Sequence, residues 1–411
     1  MVRLRRKARN DADLHETHSV LSWEHDLVRA AVVHLGDGVA ELMGVASSPV
    51  QWVGRTTQPD VDRWFAACSA ALTEAEDATT VGGGRRIVAN YITMGIPAEL
   101  ASGLPITVQR PRRDRQEPVT LHELQQLLRK SYRSAQDSLV AKGGAALSSM
   151  DIVSGAVSEI SLDGQVIDDP VGLLGDELAL TVHYCLAPHV WVRTLQLVAE
   201  RLKTGLTAIV PHQVTLARPL PHPSALLVEL GERHTIVSGV RRGRIAWSDI
   251  VEVGERQLVE ATAATLSLRE RQASALMRTY RARQLSAETE EQVAAAFWVQ
   301  LRDWMKQIGA AALPYAREAA PRQVFFVDET RRMPEAVQAL QTPYWEQQLP
   351  FGCCPDVVEY APNIVRHVLD CTGRAGGSEF LRLRSIAYGV CQDNTEQITL
   401  ERLLAQMTFW R

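Results

Sequence analysis

Two strand-turn-strand patterns, one in each half of the chain, constrain the fold more than any other feature. The first, "LVRAAVVHLGDGVAELMGVAS" from Leu27, places two apolar strands around Gly36-Asp37-Gly38. The second, "ALLVELGERHTIVSGVRRGRIAWSD", residues 225–249, reads as two short strands around a Gly-Glu-Arg-His-Thr turn. A lone hairpin of this kind is common in any sheet protein. The ordered pair, each followed by helices and a buried strand, predicts an α/β chain of two similar halves.

At 411 residues the chain exceeds one ordinary core, so at least two substructures are expected. A net charge of -4 points neither to a nucleic-acid binder nor to a halophile. The six cysteines (Cys68, Cys185, Cys353, Cys354, Cys371, Cys391) contain no CxxC pair, which argues against a zinc ribbon or a thioredoxin-type site. "DLHETHSVLSWEH" gathers His15, His18 and His25, but its HExH spacing does not put two imidazoles on one helical face. The start, "MVRLRRKARN", is basic and is not followed by an apolar run, so residues 1–26 read as a flexible extension and the chain as cytoplasmic.

Within the first half, "DVDRWFAACSAALTEAE" has helical spacing behind a candidate cap at Asp60, and "RRIVANYITMGI" reads as a buried strand. A module of different texture follows. It contains an extended "GLPITVQRPRRDRQEPV", a helix opened by Thr120 with Glu123 three residues on, and strands at "DIVSGAVSEISLDGQV" and "ELALTVHYCLAP". "VWVRTLQLVAERLKTG" is a helix stopped at Gly205, and "LTAIV" is a strand. The second half holds helices at "ERQLVEATAATLSL", "LRERQASALMRTY" and "TEEQVAAAFWVQLRDWMKQIGA", a strand at "RQVFFVDE", and a buried helix at "FLRLRSIAYGV".

Two α/β halves opened by glycine-bearing hairpins resemble the actin-like ATPase superfamily, a two-domain (ribonuclease H-like) fold whose turns offer backbone N–H groups to phosphates. Asp163-Gly164, Asp169-Pro170-Val171-Gly172 and Gly175 in the inserted module resemble the extra subdomain of the bacterial cell-division protein FtsA; the pilus protein PilM has a similar plan. The resemblance implies an extension at 1–26, a first half at 27–97 and 189–220 around an FtsA-type insert at 98–188, a second half at 221–392, and a tail at 393–411. It also implies that Gly36, Asp37, Gly38, Gly231, Glu232, Arg233, Thr235 and Gly254 stand where phosphate would be cradled.

Those positions depart from the family pattern. His34 replaces an acid, Glu229 stands where Asp is usual, and Glu232-Arg233-His234 replace glycines that would leave room for phosphate. Later glycine pairs have become "VEVGERQL" and "FFVDETRRMPEA". A degenerate nucleotide site without catalytic residues or metal is therefore expected, with ATP and Mg²⁺ binding as the alternative. In the tail "TLERLLAQMTFWR", Leu400, Leu403, Leu404, Met407 and Trp410 form one apolar stripe suited to a membrane surface. By resemblance the chain would tether FtsZ-type filaments to the inner face of the cell membrane and associate with itself. The alternatives are an actin-like protein with residual ATPase activity and a PilM-like adaptor of type IV pilus assembly.

Overall fold

The computed structural model describes residues 17–24, 26–50, 60–80, 85–112, 115–141, 149–222, 224–313, 321–328, 333–349 and 356–395. The chain divides into two compact units, one made of residues 1–219 and 362–411, the other of 220–361.

The first unit is built on strands β1 (Thr17–Glu24), β2 (Leu27–Gly36), β3 (Val39–Pro49) and β4 (Tyr91–Ile96), with β9 (Gly205–Pro211) beyond β4 and β15 (Val368–Asp370) beyond β3. In the order β15-β3-β2-β1-β4-β9, β1, β4 and β9 run parallel and β2 runs antiparallel to β1. β1 lies inside what the sequence reads as a flexible extension. Its Thr17, His18, Ser19 and Ser22 are polar yet buried, which hid the strand from hydropathy, while Leu21 and Trp23 face the core. Trp23 sits 4.3 Å from Trp64 of α1 (Val61–Ala78) and 4.4 Å from Trp191 of α3 (His189–Leu202), so two helices are pinned to one sheet face by an aromatic cluster. Asp60 caps α1 by accepting the N–H groups of Asp62 and Arg63. The stop of α3 is Lys203 in the left-handed region (φ 57); Gly205, read from sequence as the cap, begins β9.

The inserted subdomain comprises β5 (Ser102–Pro111), α2 (Leu121–Ala141), β6 (Met150–Leu162), β7 (Gln165–Val166) and β8 (Glu177–Pro188), in the antiparallel order β5-β8-β6-β7. Thr120 and Glu123 close the expected capping box, N–H of Thr120 to Glu123 Oε2 at 2.9 Å and N–H of Glu123 to Thr120 Oγ1 at 3.3 Å. Leu124, Leu127 and Leu128 pack against Leu178, Leu180, Val182 and Tyr184. Val153 and Cys185, at the base of β6 and β8, join the core of the larger sheet.

In the second unit, β10 (Ser224–Leu230), β11 (Thr235–Arg241), β12 (Arg244–Val251), β13 (Gln323–Asp328) and β14 (Asp356–Glu359) form a sheet ordered β12-β11-β10-β13-β14. The pairing senses repeat those of β3-β2-β1-β4-β9 strand for strand. The sequence reading found two strands in residues 225–249; the structure has three, because Arg242 (φ 53) and Gly243 (φ 74) make a second tight turn. Helices α5 (Glu255–Thr265), α6 (Glu270–Arg281) and α7 (Ala287–Ala312) bridge β12 to β13, the short α8 (Pro334–Leu340) and α9 (Pro343–Gln348) lie between β13 and β14, and Phe297, Leu301, Trp304 and Ile308 of α7 fill the core.

The second unit ends before the boundary expected at 392. Residues 362–395 return to the first unit, where α10 (Leu381–Thr395) packs on β1, β2 and the short helix α4 (His212–Ala217), and Ile386 presses on Gly95. Leu400, Leu403, Leu404, Met407 and Trp410 lie outside the described residues. Among the described residues, no helix is long and apolar enough to cross a membrane.

Candidate functional site

In open α/β sheets, ligands bind beyond the carboxyl ends of the parallel strands. These ends are Glu24, Ile96 and Pro211 in the first unit and Leu230, Asp328 and Glu359 in the second. The turn at residues 231–234 follows β10 and so lies at that edge. The Gly36-Asp37-Gly38 turn does not. It joins β2 to β3, and the pairing of Thr17 with His34 places it at the amino end of β1. The counterpart of residues 231–234 is instead the tight glycine-free turn between Glu24 and Leu27. With Asp37 exposed at φ 48 and Gly38 at φ 76, residues 36–38 form a hairpin closure of the left-handed type that strand twist favours.

At the second unit's edge, the remaining sequence-predicted residues come together, but their polar groups are engaged with one another. A helix N-terminus binds anions through N–H groups that lack intrahelical partners. In α5 three of those groups have partners: Gly254 N–H donates to Gln257 Oε1 (3.1 Å), Glu255 N–H to the Gly231 carbonyl (3.0 Å), and Arg256 N–H to the Glu232 carbonyl (2.9 Å). Gly231 N–H turns inward to the His234 carbonyl at 2.9 Å. Gly254 permits this closure, since a Cβ there would lie 2.5 Å from the carbonyl carbon of Arg233 and 2.6 Å from its nitrogen. Its role is to let the turn sit on the helix end, backbone against backbone.

Thr235 is fully buried. Its hydroxyl donates to the Val253 carbonyl (2.6 Å) and accepts from the Trp304 indole (2.8 Å), a structural bridge with no face toward a ligand. Glu229 is 2% exposed, His234 pairs with Glu252 at 2.9 Å, and Glu255 pairs with Arg281 at 3.0 Å. Only Arg233 of the group stands in solvent.

The corresponding edge of the first unit carries residues outside the sequence-based expectation, because β1 falls within the segment whose composition reads as an extension. Ser22 Oγ donates to Glu24 Oε1 at 3.0 Å and lies 3.1 Å from His212 Nε2, so that nitrogen carries the proton and donates to the serine. Glu24 also accepts from Arg29 at 2.9 Å, and that guanidinium stacks over Phe380. On the same strands, His18 Nε2 lies 2.9 Å from Thr93 Oγ1 and 3.2 Å from Thr207 Oγ1. Burial drives the His18 pKa down to about 4; burial, and then the nearby Arg382, push that of His212 well below the usual range. With Ser22 at 0% exposure, the Ser-His-Glu sequence of contacts has no access to a substrate and works as internal bracing. No group of three His, Cys, Asp or Glu among the described residues is arranged to hold a metal.

No protein-family model matches the chain, and no curated protein matches it in sequence. Among solved structures, 92% of it is similar to 99% of a chain from a "PilM-PilN type IV pilus biogenesis complex", at 13% identity and a TM-score of 0.58. A ROK family glucokinase from Streptomyces griseus in complex with glucose and AMPPNP matches at 10% identity, 92% and 99% coverage and a TM-score of 0.43. The ethanolamine utilization protein EutJ from Carboxydothermus hydrogenoformans matches at 10% identity, 90% and 89% coverage and 0.41. Together with the repeated strand order, the likeness establishes the architecture: the chain has the two-domain actin-like ATPase fold, with a small α/β subdomain inserted between β4 and α3.

Proposed function

We propose that this chain is an actin-fold adaptor that holds a segment of another protein within a membrane-associated assembly and does not turn over ATP. One observation carries the reading. At the edge where ligands bind in sheets of this order, the N–H groups of Glu255 and Arg256 donate to the turn at 231–234, that of Gly254 donates to Gln257, and Gly254 lets the turn sit against the helix end. The residues there do not fit a nucleotide phosphate, so no catalytic step is assigned to them.

The nature of the assembly draws support from the match to PilM, which spans nearly all of both chains and was solved in a complex named for PilN and type IV pilus biogenesis. The first reading is therefore a PilM-like pilus-assembly adaptor, peripheral on the cytoplasmic side of the membrane. An FtsA-like tether for FtsZ filaments rests on the residues at 163–175 and meets the same test.

The test is a thermal melt with millimolar Mg-ATP, followed by titration with peptides from a PilN-type protein and from an FtsZ tail. A nucleotide that binds the native state at a hundred times its Kd stabilises by about 2.7 kcal/mol, several degrees of melting temperature. The expected result is no shift with Mg-ATP and saturable binding of the PilN-type peptide. A shift of several degrees with Mg-ATP defeats the reading that this edge does not fit a nucleotide, release of phosphate from ATP defeats the non-hydrolysing reading, and binding of the FtsZ peptide alone transfers the chain to the division apparatus.

A further inference from the structure

Many surface arginines of this protein are matched by a carboxylate: Arg86 by Glu76 and Asp77, Arg115 by Asp176, Arg201 by Asp62 and Arg256 by Glu260. The outer face of α2 in the inserted subdomain departs from that rule. At about 100° per residue, His122, Arg129, Lys130, Arg133, Asp137 and Val140 fall within an arc of about 100°, opposite the buried Leu124, Leu128 and Ala135. Arg129, Lys130 and Arg133 are exposed, and Val140 is 81% exposed. Among the described residues, Arg129 and Arg133 have no hydrogen-bond or ion-pair partner. Lys130 donates to the Gln109 carbonyl at 3.1 Å, and Arg110 reaches from β5 to the Gln126 side chain. Both of those partners are neutral. Four cations therefore stand along about 10 Å of helix, and Asp137, the one carboxylate on the arc, bonds none of them.

A concentration of uncompensated positive charge attracts a polyanion, and the shape of the surface selects which kind. β5 is the edge strand beside α2, but its edge is guarded against an added strand. The bond from Arg112 N–H to the Asp176 carbonyl continues the β5–β8 ladder and sets the alternation, so Pro105 and Pro111 turn outward where neither has an N–H to offer, and Lys130 occupies the outward carbonyl of Gln109. An acidic peptide thus finds no strand to extend. The arc carries no Phe, Tyr or Trp on which a base could stack. A convex helix face with three exposed cations and a protruding valine suits a plane of negative headgroups, with the valine entering the boundary below them.

We propose that the outer face of α2, with Arg110, Arg129, Lys130, Arg133 and Val140, lies against a bilayer of anionic phospholipid. The proposal rests on the reading of a membrane-associated adaptor and names the surface by which it meets the membrane.

The experiment measures partition of the full-length protein onto sedimenting vesicles of phosphatidylcholine with 30% phosphatidylglycerol, and of phosphatidylcholine alone. Three forms are compared: wild type, Arg129→Gln/Lys130→Gln/Arg133→Gln, and a control of equal charge, Arg278→Gln/Arg366→Gln/Arg374→Gln, which alters exposed cations elsewhere. Each cation near such a surface is worth about fivefold in partition, so the α2 variant should bind about a hundredfold more weakly than wild type, and the control within about threefold of it. Binding should need phosphatidylglycerol and vanish in 1 M salt, where screening extends to about 3 Å. Amide exchange in α2 should slow on the vesicles in wild type alone of the wild type and α2 variant. Equal partition of the two variants, or no partition of wild type, overturns the proposal; so does retention of wild type on immobilised poly-glutamate without binding to vesicles, which assigns the face to an acidic protein. Either failure with PilN-type peptide binding intact removes this surface and leaves the adaptor reading standing, whereas loss of both removes the adaptor reading as well.

Discussion

Replacing Gly254 by alanine tests whether the closed turn is as tightly built as its geometry states. The added methyl carbon would lie 2.5–2.6 Å from backbone atoms of Glu232 and Arg233, where a carbon contact needs about 3.5 Å. The helix end and the turn must part by roughly 1 Å, because neither side of the contact is a flexible side chain. That separation loosens two hydrogen bonds, Glu255 N–H to the Gly231 carbonyl and Arg256 N–H to the Glu232 carbonyl. Each contributes about 0.5–1.5 kcal/mol, and the overpacking adds about 1–3 kcal/mol, so a loss of about 2–6 kcal/mol is expected. At roughly 2–4 °C per kcal/mol for a unit of this size, the melting temperature should fall by about 4–24 °C. The assay is calorimetry of the full chain, wild type against variant. If the variant melts within a degree of wild type, the turn does not rest on the helix as described, and the argument that phosphate is excluded there fails with it.

Thr235→Val removes the hydroxyl that joins the Trp304 indole to the Val253 carbonyl while nearly keeping the volume; a loss of about 2–4 kcal/mol, largely restored in Thr235→Ser, is expected in denaturant titrations. His18 is held neutral, so the unfolded chain binds the proton first as pH falls, and stability should drop between about pH 6.5 and pH 4. With a folded pKa of about 4, the loss is about 3 kcal/mol, and a His18→Gln variant should flatten that part of the pH profile. Arg112→Lys gives up a buried fork that meets both Glu123 oxygens and the Gly175 and Glu117 carbonyls; it should destabilise the inserted subdomain by about 2–4 kcal/mol, read as faster proteolysis between β5 and α2. Gly38→Ala should cost only about 1 kcal/mol, from the positive φ, and leave any ligand measurement unchanged.

Where the physical signal was local, the sequence made the structure legible. The Asp60 cap, the Thr120-Glu123 box and the alternation in β2 and β3 each depend on neighbours a few residues apart. β1 was hidden because its buried polar residues find their partners far along the chain, His18 at Thr93 and Thr207, Ser22 at His212. Losing that strand shifted the frame of the first half, so the Gly36-Asp37-Gly38 hairpin was given a place that belongs to the glycine-free turn after Glu24. In the second half the turn at 231–234 follows β10 and does reach the start of α5 at Gly254 and Glu255. What no local pattern discloses is that Gly254 lies against the backbone of Glu232 and Arg233, and that the Gly231 carbonyl takes the N–H of Glu255.

The return of α10 to the first unit sets an order of events during synthesis. The surface of β1 and β4 around Ser22 and Gly95 waits for Leu381–Thr395, which the ribosome delivers only after the whole second unit has emerged. At about 5–20 residues per second, the interval from residue 219 to residue 395 is roughly 10–35 s. A unit that begins at the amino terminus is therefore completed last. A nascent chain halted before Leu381 presents an open sheet face to chaperones and proteases, whereas residues 220–361 emerge with every strand of their own sheet in hand.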